Sequence, residues 1–144
     1  MTGQHKKRTA LITGASAGIG RELALVFAAN GFDLVLVARR AERLEALAQE
    51  VKGKFGAEAH VIVADLADPA APRRLFDEVA ARHIMVDALI NNAGYTVPGH
   101  FRDTTWGDQA ALIQVMVTAV AELCHLFGPG MAARNYGRII NVAS

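Results

Sequence analysis

Apolar residues along this chain recur in two periods. Five short runs, at residues 9–13, 34–37, 61–63, 88–90 and 138–142, carry little polar alternation and are rich in Val, Ile and Leu. Runs of that length and kind are strands covered on both faces. Between them, apolar positions return at helical spacing. Ile19, Leu23, Val26 and Phe27 mark a first helix, closed by the left-handed stop Asn30-Gly31. Leu44, Leu47, Val51 and Phe55 mark a second, running from Ala41 to near Gly56. Leu75, Phe76 and Val79 mark a third, with Asp68 as its expected N-cap and Pro69 in its first turn. A long pattern beginning after Thr104 carries Leu112, Val115, Ala119, Leu123 and Leu126, and Gly128 with Pro129 is expected to kink or interrupt it. Strand and helix therefore alternate as βαβαβαβαβ. Right-handed crossovers turn that order into an α/β, doubly wound parallel sheet with helices on both faces.

Composition agrees with a folded α/β chain and excludes several functions. The 144 residues are 52% hydrophobic and 20% charged with 13 Gly, and no linker, repeat or low-complexity segment divides them, so residues 1–144 are expected to form a single domain. Fifteen basic and 14 acidic side chains leave a net charge of +1, which gives no electrostatic reason for nucleic acid or a membrane surface as partner. The basic run His5-Lys6-Lys7-Arg8 reads as a solvated arm. One cysteine, Cys124, excludes an internal disulfide and suits a reducing compartment. Neither a signal peptide nor an 18-residue apolar stretch is apparent, so the expected location is the cytoplasm.

The chemistry begins at Leu11-Ile12-Thr13-Gly14-Ala15-Ser16-Ala17-Gly18-Ile19-Gly20, a strand end, a glycine turn and a helix opening. The first N–H groups of such a helix have no internal acceptor and converge on one point, where the helix dipole adds positive charge, so they bind phosphate. Gly14 allows the turn, Gly18 lets backbone approach a ligand, and Gly20 lets the helix pack against the strand. Ligands of such sheets sit beyond the carboxyl ends of the strands, where strand order reverses, and Thr13, Arg39, Asp65, Asn91 and Ser144 all fall at those ends. Dinucleotide sites usually have an acid about 20 residues after the glycines. Here the second strand ends Val37-Ala38-Arg39-Arg40 instead. Ala38 leaves space and Arg39 offers a planar fork for a 2′-phosphate, so NADP(H) is expected over NAD(H); otherwise Arg39 and Arg40 solvate a helix start. Asp65, followed by Leu66, either accepts from an adenine amino group or caps the next helix. Asn91 and Asn92 either form a turn or pin the backbone beneath a cofactor. Tyr95, Thr96 and His100 lie on a loop within reach of a substrate, with no catalytic role.

Three motifs together resemble the short-chain dehydrogenase/reductase family. Thr13-Gly14-x-x-x-Gly18-x-Gly20 is similar to its cofactor loop, Asn91-Asn92-Ala93-Gly94 to its fourth-strand motif, and Gly137-Arg138-Ile139-Ile140-Asn141-Val142-Ala143-Ser144 to its fifth strand ending in the active-site serine. The resemblance covers the whole chain. It implies a Rossmann-type, three-layer αβα sheet, incomplete at the C-terminus, and hydride transfer between NADP(H) and a small-molecule alcohol or carbonyl. It assigns the cofactor to Thr13, Gly14, Ser16, Gly18, Ile19, Gly20, Arg39, Arg40, Asp65, Leu66, Asn91, Asn92, Ala93 and Gly94. Ser144 becomes the residue that hydrogen-bonds the substrate oxygen. No metal site is expected.

The chain departs from the family pattern twice. Its tyrosines, Tyr95 and Tyr136, are followed four residues on by Gly99 and Ile140, so no Tyr-x-x-x-Lys is present, and the resemblance places that pair after Ser144. Met116 stands where the family usually has an asparagine, and a thioether is a poor acceptor and no donor. These departures leave two readings, an oxidoreductase cut at Ser144 whose fragment is not expected to turn over, and a non-catalytic NADP(H)-binding module; a sugar-nucleotide epimerase relative fits the glycine spacing less well. Without a following helix, one face of the fifth strand and part of the long helix are expected to lose apolar cover, and a strand edge to remain unpaired. The 144 residues are therefore expected to self-associate as a homo-oligomer, bind a completing partner or fold poorly.

Overall fold

A computed structural model describes residues 6–143. Five parallel strands, β1 (Thr9–Thr13), β2 (Asp33–Ala38), β3 (Ala59–Val63), β4 (Ala88–Asn91) and β5 (Arg138–Asn141), form one sheet in the order β3-β2-β1-β4-β5. Thr13 pairs with Val37 on one side of β1 and Ile12 with Ile90 on the other, so the order reverses between β1 and β4. At a reversal of this kind the two crossovers leave in opposite directions and open a crevice at the carboxyl ends.

Strand alternation builds a core on each face. Ala10, Ile12, Leu34, Leu36 and Ile90 point to one side, under helices α1 (Gly18–Ala29) and α2 (Ala41–Phe55). Leu11, Val35, Val37, Ile62 and Leu89 point to the other, under α3 (Ala71–Ala81) and the long helical segment 106–133. These are the three layers that the hydrophobic pattern predicts, and fifteen residues suffice for α2 before Gly56, in the left-handed conformation, closes it.

Several local expectations are corrected. The buried face of α1 is Gly20, Ala24 and Ala28, whereas Ile19 and Val26 are exposed and Leu23 and Phe27 pack only at the margin. Small residues at i, i+4 and i+8 let the helix backbone lie close on the sheet, which pushes bulky side chains to its flanks. Phe55 likewise lies on the surface at the end of α2. Helix α3 starts at Ala71 with Pro72 in its first turn, not at Asp68-Pro69. Asp68 accepts from Ala70 N–H at 2.9 Å and thereby closes a turn ahead of the helix, as aspartates do two residues from their own position.

The long pattern is α4 (Trp106–Ile113), a π-turn at Gln114–Thr118 and α5 (Ala119–Ala133). Thr105 caps α4 with a reciprocal box to Asp108. Pro129 does not interrupt α5; it lies on the exposed side with His125, whose carbonyl loses its helical donor where water can replace it. The break in register is the π-turn, which no proline or glycine announces. Segment Trp106–Ala133 is also long and apolar enough, with a mean hydropathy of 1.8, to pass as a membrane-crossing helix by length and composition, contrary to the expectation of no such stretch. Its stripe of Val115, Ala119, Leu123, Phe127 and Met131 is buried against the rest of the molecule, with Phe127 edge-on to Phe76 of α3. Strand β5 forms an edge of the sheet, and its Ile139 and Ile140 are each about two-fifths exposed.

Candidate functional site

At the carboxyl ends of the strands lies a cleft of about 550 Å³, within the size range of small-molecule sites. Its floor is the turn between β1 and α1. Gly14 and Gly18 have φ of +66° and +55°, which L side chains rarely adopt, and a Cβ added at Gly18 would meet nothing within 4 Å. Gly20 is different: a Cβ there would stand 2.3 Å from Gly14 O and 2.4 Å from Asn92 Nδ2. Gly20 therefore serves close packing, while Gly14 and Gly18 shape the turn. Helix α1 has no side-chain cap at Ala17 and no acidic residue in its first turn. Its opening N–H groups are thus available to an anion in the cleft.

The far wall is the loop after β4, and buried hydrogen bonds hold it. Thr13, 1% exposed, accepts through Oγ1 from Asn92 N–H and Ala93 N–H, both at 3.0 Å, and donates to Ile90 O at 3.4 Å. Asn92 Nδ2 returns the bond to Thr13 O at 3.1 Å and Gly14 O at 3.3 Å. Asn91 is buried too, and its Nδ2 donates to Asn141 Oδ1 at 2.9 Å, tying β4 to β5. Thr13, Gly20 and Asn91 consequently stand behind the cleft and position its wall. Gly14, Ser16, Gly18, Ile19, Asn92, Ala93 and Gly94 line it directly.

At the end of β2, Arg39 and Arg40 line the cleft, and both are exposed. Arg40 donates from Nη2 to Ser16 Oγ at 3.2 Å, so one guanidinium spans the gap between β2 and the glycine turn. Asp65 and Leu66 line the same end; Asp65 Oδ1 accepts from Ala67 N–H at 3.0 Å, a turn contact rather than a cap on α3. Tyr95 and Thr96 reach the cleft, whereas His100 does not line it. Ser144 lies outside the described residues; Val142 and Ala143, just before it, line the cleft.

Residues that sequence reasoning did not assign to a ligand also appear. Val115, the first residue of the buried stripe, and Met116, the exposed residue after it in the π-turn, both line the cleft. Met116 is 42% exposed, and a Cβ on Gly94 would lie 3.5 Å from its Cε, so the thioether lies over the Asn92–Gly94 loop. Its departure from the family pattern was the one available signal. Among the described residues, no group of three or more His, Cys, Asp or Glu side chains is placed to hold a metal ion.

Residues 8–144 match the family model described as short chain dehydrogenase. The chain belongs to this family. Over 99% of its length it is 35% identical to a very-long-chain 3-oxoacyl-CoA reductase of Laccaria bicolor, of which it covers 43%. Among solved structures, a short-chain dehydrogenase of Sphingobium yanoikuyae in complex with NADPH superposes with a TM-score of 0.87 at 38% identity, covering 95% of this chain and 53% of that one. The L-sorbose reductase of Gluconobacter frateurii, complexed with NADPH and L-sorbose, gives 0.90 at 34%, covering 96% and 53%. The chain thus spans about half the length of the relatives it matches.

Proposed function

We propose that the cleft holds NADP(H) and that the protein is an oxidoreductase passing hydride between that cofactor and a small-molecule alcohol or carbonyl. One observation carries the cofactor: the end of β2 presents two arginines and no carboxylate, beside an uncapped helix start and a glycine turn with open space above it. The N–H groups at the start of α1 would hold the pyrophosphate. Arg39 and Arg40 would hold the 2′-phosphate, with Arg40 already oriented by Ser16. Asp65 and Leu66 would border the adenine, while Ala93, Gly94, Met116 and Val142 would border the nicotinamide. When bound, the nicotinamide supplies or accepts the hydride.

The residues of this chain bind and orient. Thr13 and Asn92 fix the loop against which the nicotinamide would lie, and the apolar side chains of Val115, Met116 and Val142 would reduce water beside it. Ser144 would hydrogen-bond the substrate oxygen, a role that rests on the family motif. Residues 1–144 contain no Tyr-x-x-x-Lys, so proton transfer is assigned to none of them. Relatives reduce substrates as unlike as 3-oxoacyl-CoA and L-sorbose, which supports a carbonyl substrate without choosing one.

The test is a pair of dissociation constants, for NADPH and NADH, at one ionic strength. NADPH is expected to bind at least about tenfold more tightly, and R39E is expected to erase that difference while leaving NADH within about twofold, because a charge-assisted contact contributes roughly 1.5–3 kcal/mol. Equal affinities in the unaltered protein, or tighter NADH, would overturn the cofactor assignment.

A further inference from the structure

A second concavity, of about 490 Å³, opens at the other edge of the sheet, at the amino ends of the strands and away from the dinucleotide cleft. Five elements build it: the segment entering β1, the start of β2, the start of β3, the turn after α3 and the turn after α5. From these come five basic side chains, Lys6, Lys7, Arg8, Arg82 and Arg134, against two carboxylates, Asp33 and Asp87.

Both carboxylates are engaged with backbone. Asp87 Oδ2 accepts from Thr9 N–H at 2.9 Å, and Asp33 Oδ1 accepts from Glu58 N–H at 2.9 Å. Arg134 and Lys7 lie 4.0 and 3.8 Å from them and donate to the carbonyls of Val86 and Gly56. Arg82 pairs with Glu78 and donates to Val61 O at 3.3 Å. Three cationic heads are therefore held in place by the fold. Lys6 and Arg8 have no acidic partner among the described residues, and Arg8 is stacked 3.7 Å from the Tyr136 ring centroid, which limits its freedom. With Glu78 set against Arg82, two positive charges, those of Lys6 and Arg8, are left in surplus; a concave surface with such a surplus concentrates anions, and guanidinium forks match phosphate oxygens.

We infer that this basic concavity is a second anion site that binds a soluble compound carrying several linked phosphates. A single phosphate would engage only part of five cations spread round a space of this size; a chain of linked phosphates reaches them together. The dinucleotide lies at the opposite strand ends, so both ligands fit at once.

Calorimetric titration with inorganic tripolyphosphate, in the protein as produced from its gene and with sulfate at equal ionic strength as control, tests this. Expected is saturable binding that sulfate does not reproduce. K6E/R82E should weaken it at least tenfold, while R73E/R102E, an equal charge change elsewhere on the surface, and R39E/R40E in the dinucleotide cleft should leave it within twofold. If K6E/R82E loses its thermal transition, K6Q, an exposed single change, should still weaken binding at least threefold. Loss of binding in R39E/R40E with retention in K6E/R82E would overturn the site. So would binding to phosphatidic acid vesicles with none to tripolyphosphate, which would mark a lipid surface as the source of the phosphate.

Discussion

Thr13→Val removes one oxygen from the centre of the molecule and keeps its shape. Thr13 is 1% exposed, and its hydroxyl serves two consecutive amides, Asn92 N–H and Ala93 N–H, at 3.0 Å each. Valine leaves both donors without an acceptor. A buried donor deprived of its partner costs about 1–3 kcal/mol, and because the two amides belong to one short loop that can move as a unit, the pair is expected to cost about 2–4 kcal/mol. For a chain of this size that is a fall in Tm of roughly 6–16 °C. Thr13→Ser keeps the oxygen and loses one methyl, about 1 kcal/mol. Urea unfolding of both variants separates hydrogen bonding from packing, and fluorescence titration with NADPH should show Thr13→Val weakened at least about tenfold by displacement of the Asn92–Gly94 wall. If Thr13→Val is as stable as Thr13→Ser and binds NADPH normally, the hydroxyl is not what holds the wall.

Gly20→Ala would force a Cβ to 2.3 Å from the backbone oxygen of Gly14, which has no rotamer to move away, and should cost about 1–3 kcal/mol in urea unfolding, with weaker NADPH binding as α1 is pushed outward. Gly53→Ala, in the interior of α2 with nothing within 4 Å of the added carbon, should instead stabilise by about 0.5–1 kcal/mol. Asp87→Ala should destabilise by about 1–3 kcal/mol, because Thr9 N–H loses its acceptor at the start of β1. Glu50 is held below its usual value of 4.5 chiefly by the hydrogen bond from Lys54, at 2.6 Å, with Arg21 adding its charge. A lowered folded value means the contribution is complete above about pH 4.5 and fades as pH falls through the folded value. The stability gap between the unaltered protein and Glu50→Gln, followed by urea unfolding against pH, should therefore be constant near neutrality and close on acidification below 4.5; a gap that widens there would contradict the assignment.

Much of the fold was legible from local pattern alone. Five apolar runs between four helical patterns are enough to specify a parallel three-layer sheet, because each run buries both faces and each crossover has one hand. The glycine turn, the arginines after β2 and the Asn91–Gly94 motif were legible for a similar reason: their chemistry depends on neighbours in the chain. Tertiary structure decided the rest. It separated Thr13, Gly20 and Asn91, which hold the cleft wall from behind, from Ser16, Arg40 and Gly94, which line it, since which side of a backbone faces a ligand depends on what packs against the other side. Burying Gly20, Ala24 and Ala28 in place of larger neighbours was set by how close α1 could come to the sheet. The π-turn brought Met116 over Gly94, and no periodicity announces one inserted residue. The basic concavity, too, comes from segments as far apart as Lys6 and Tyr136, which only the folded sheet brings to one edge.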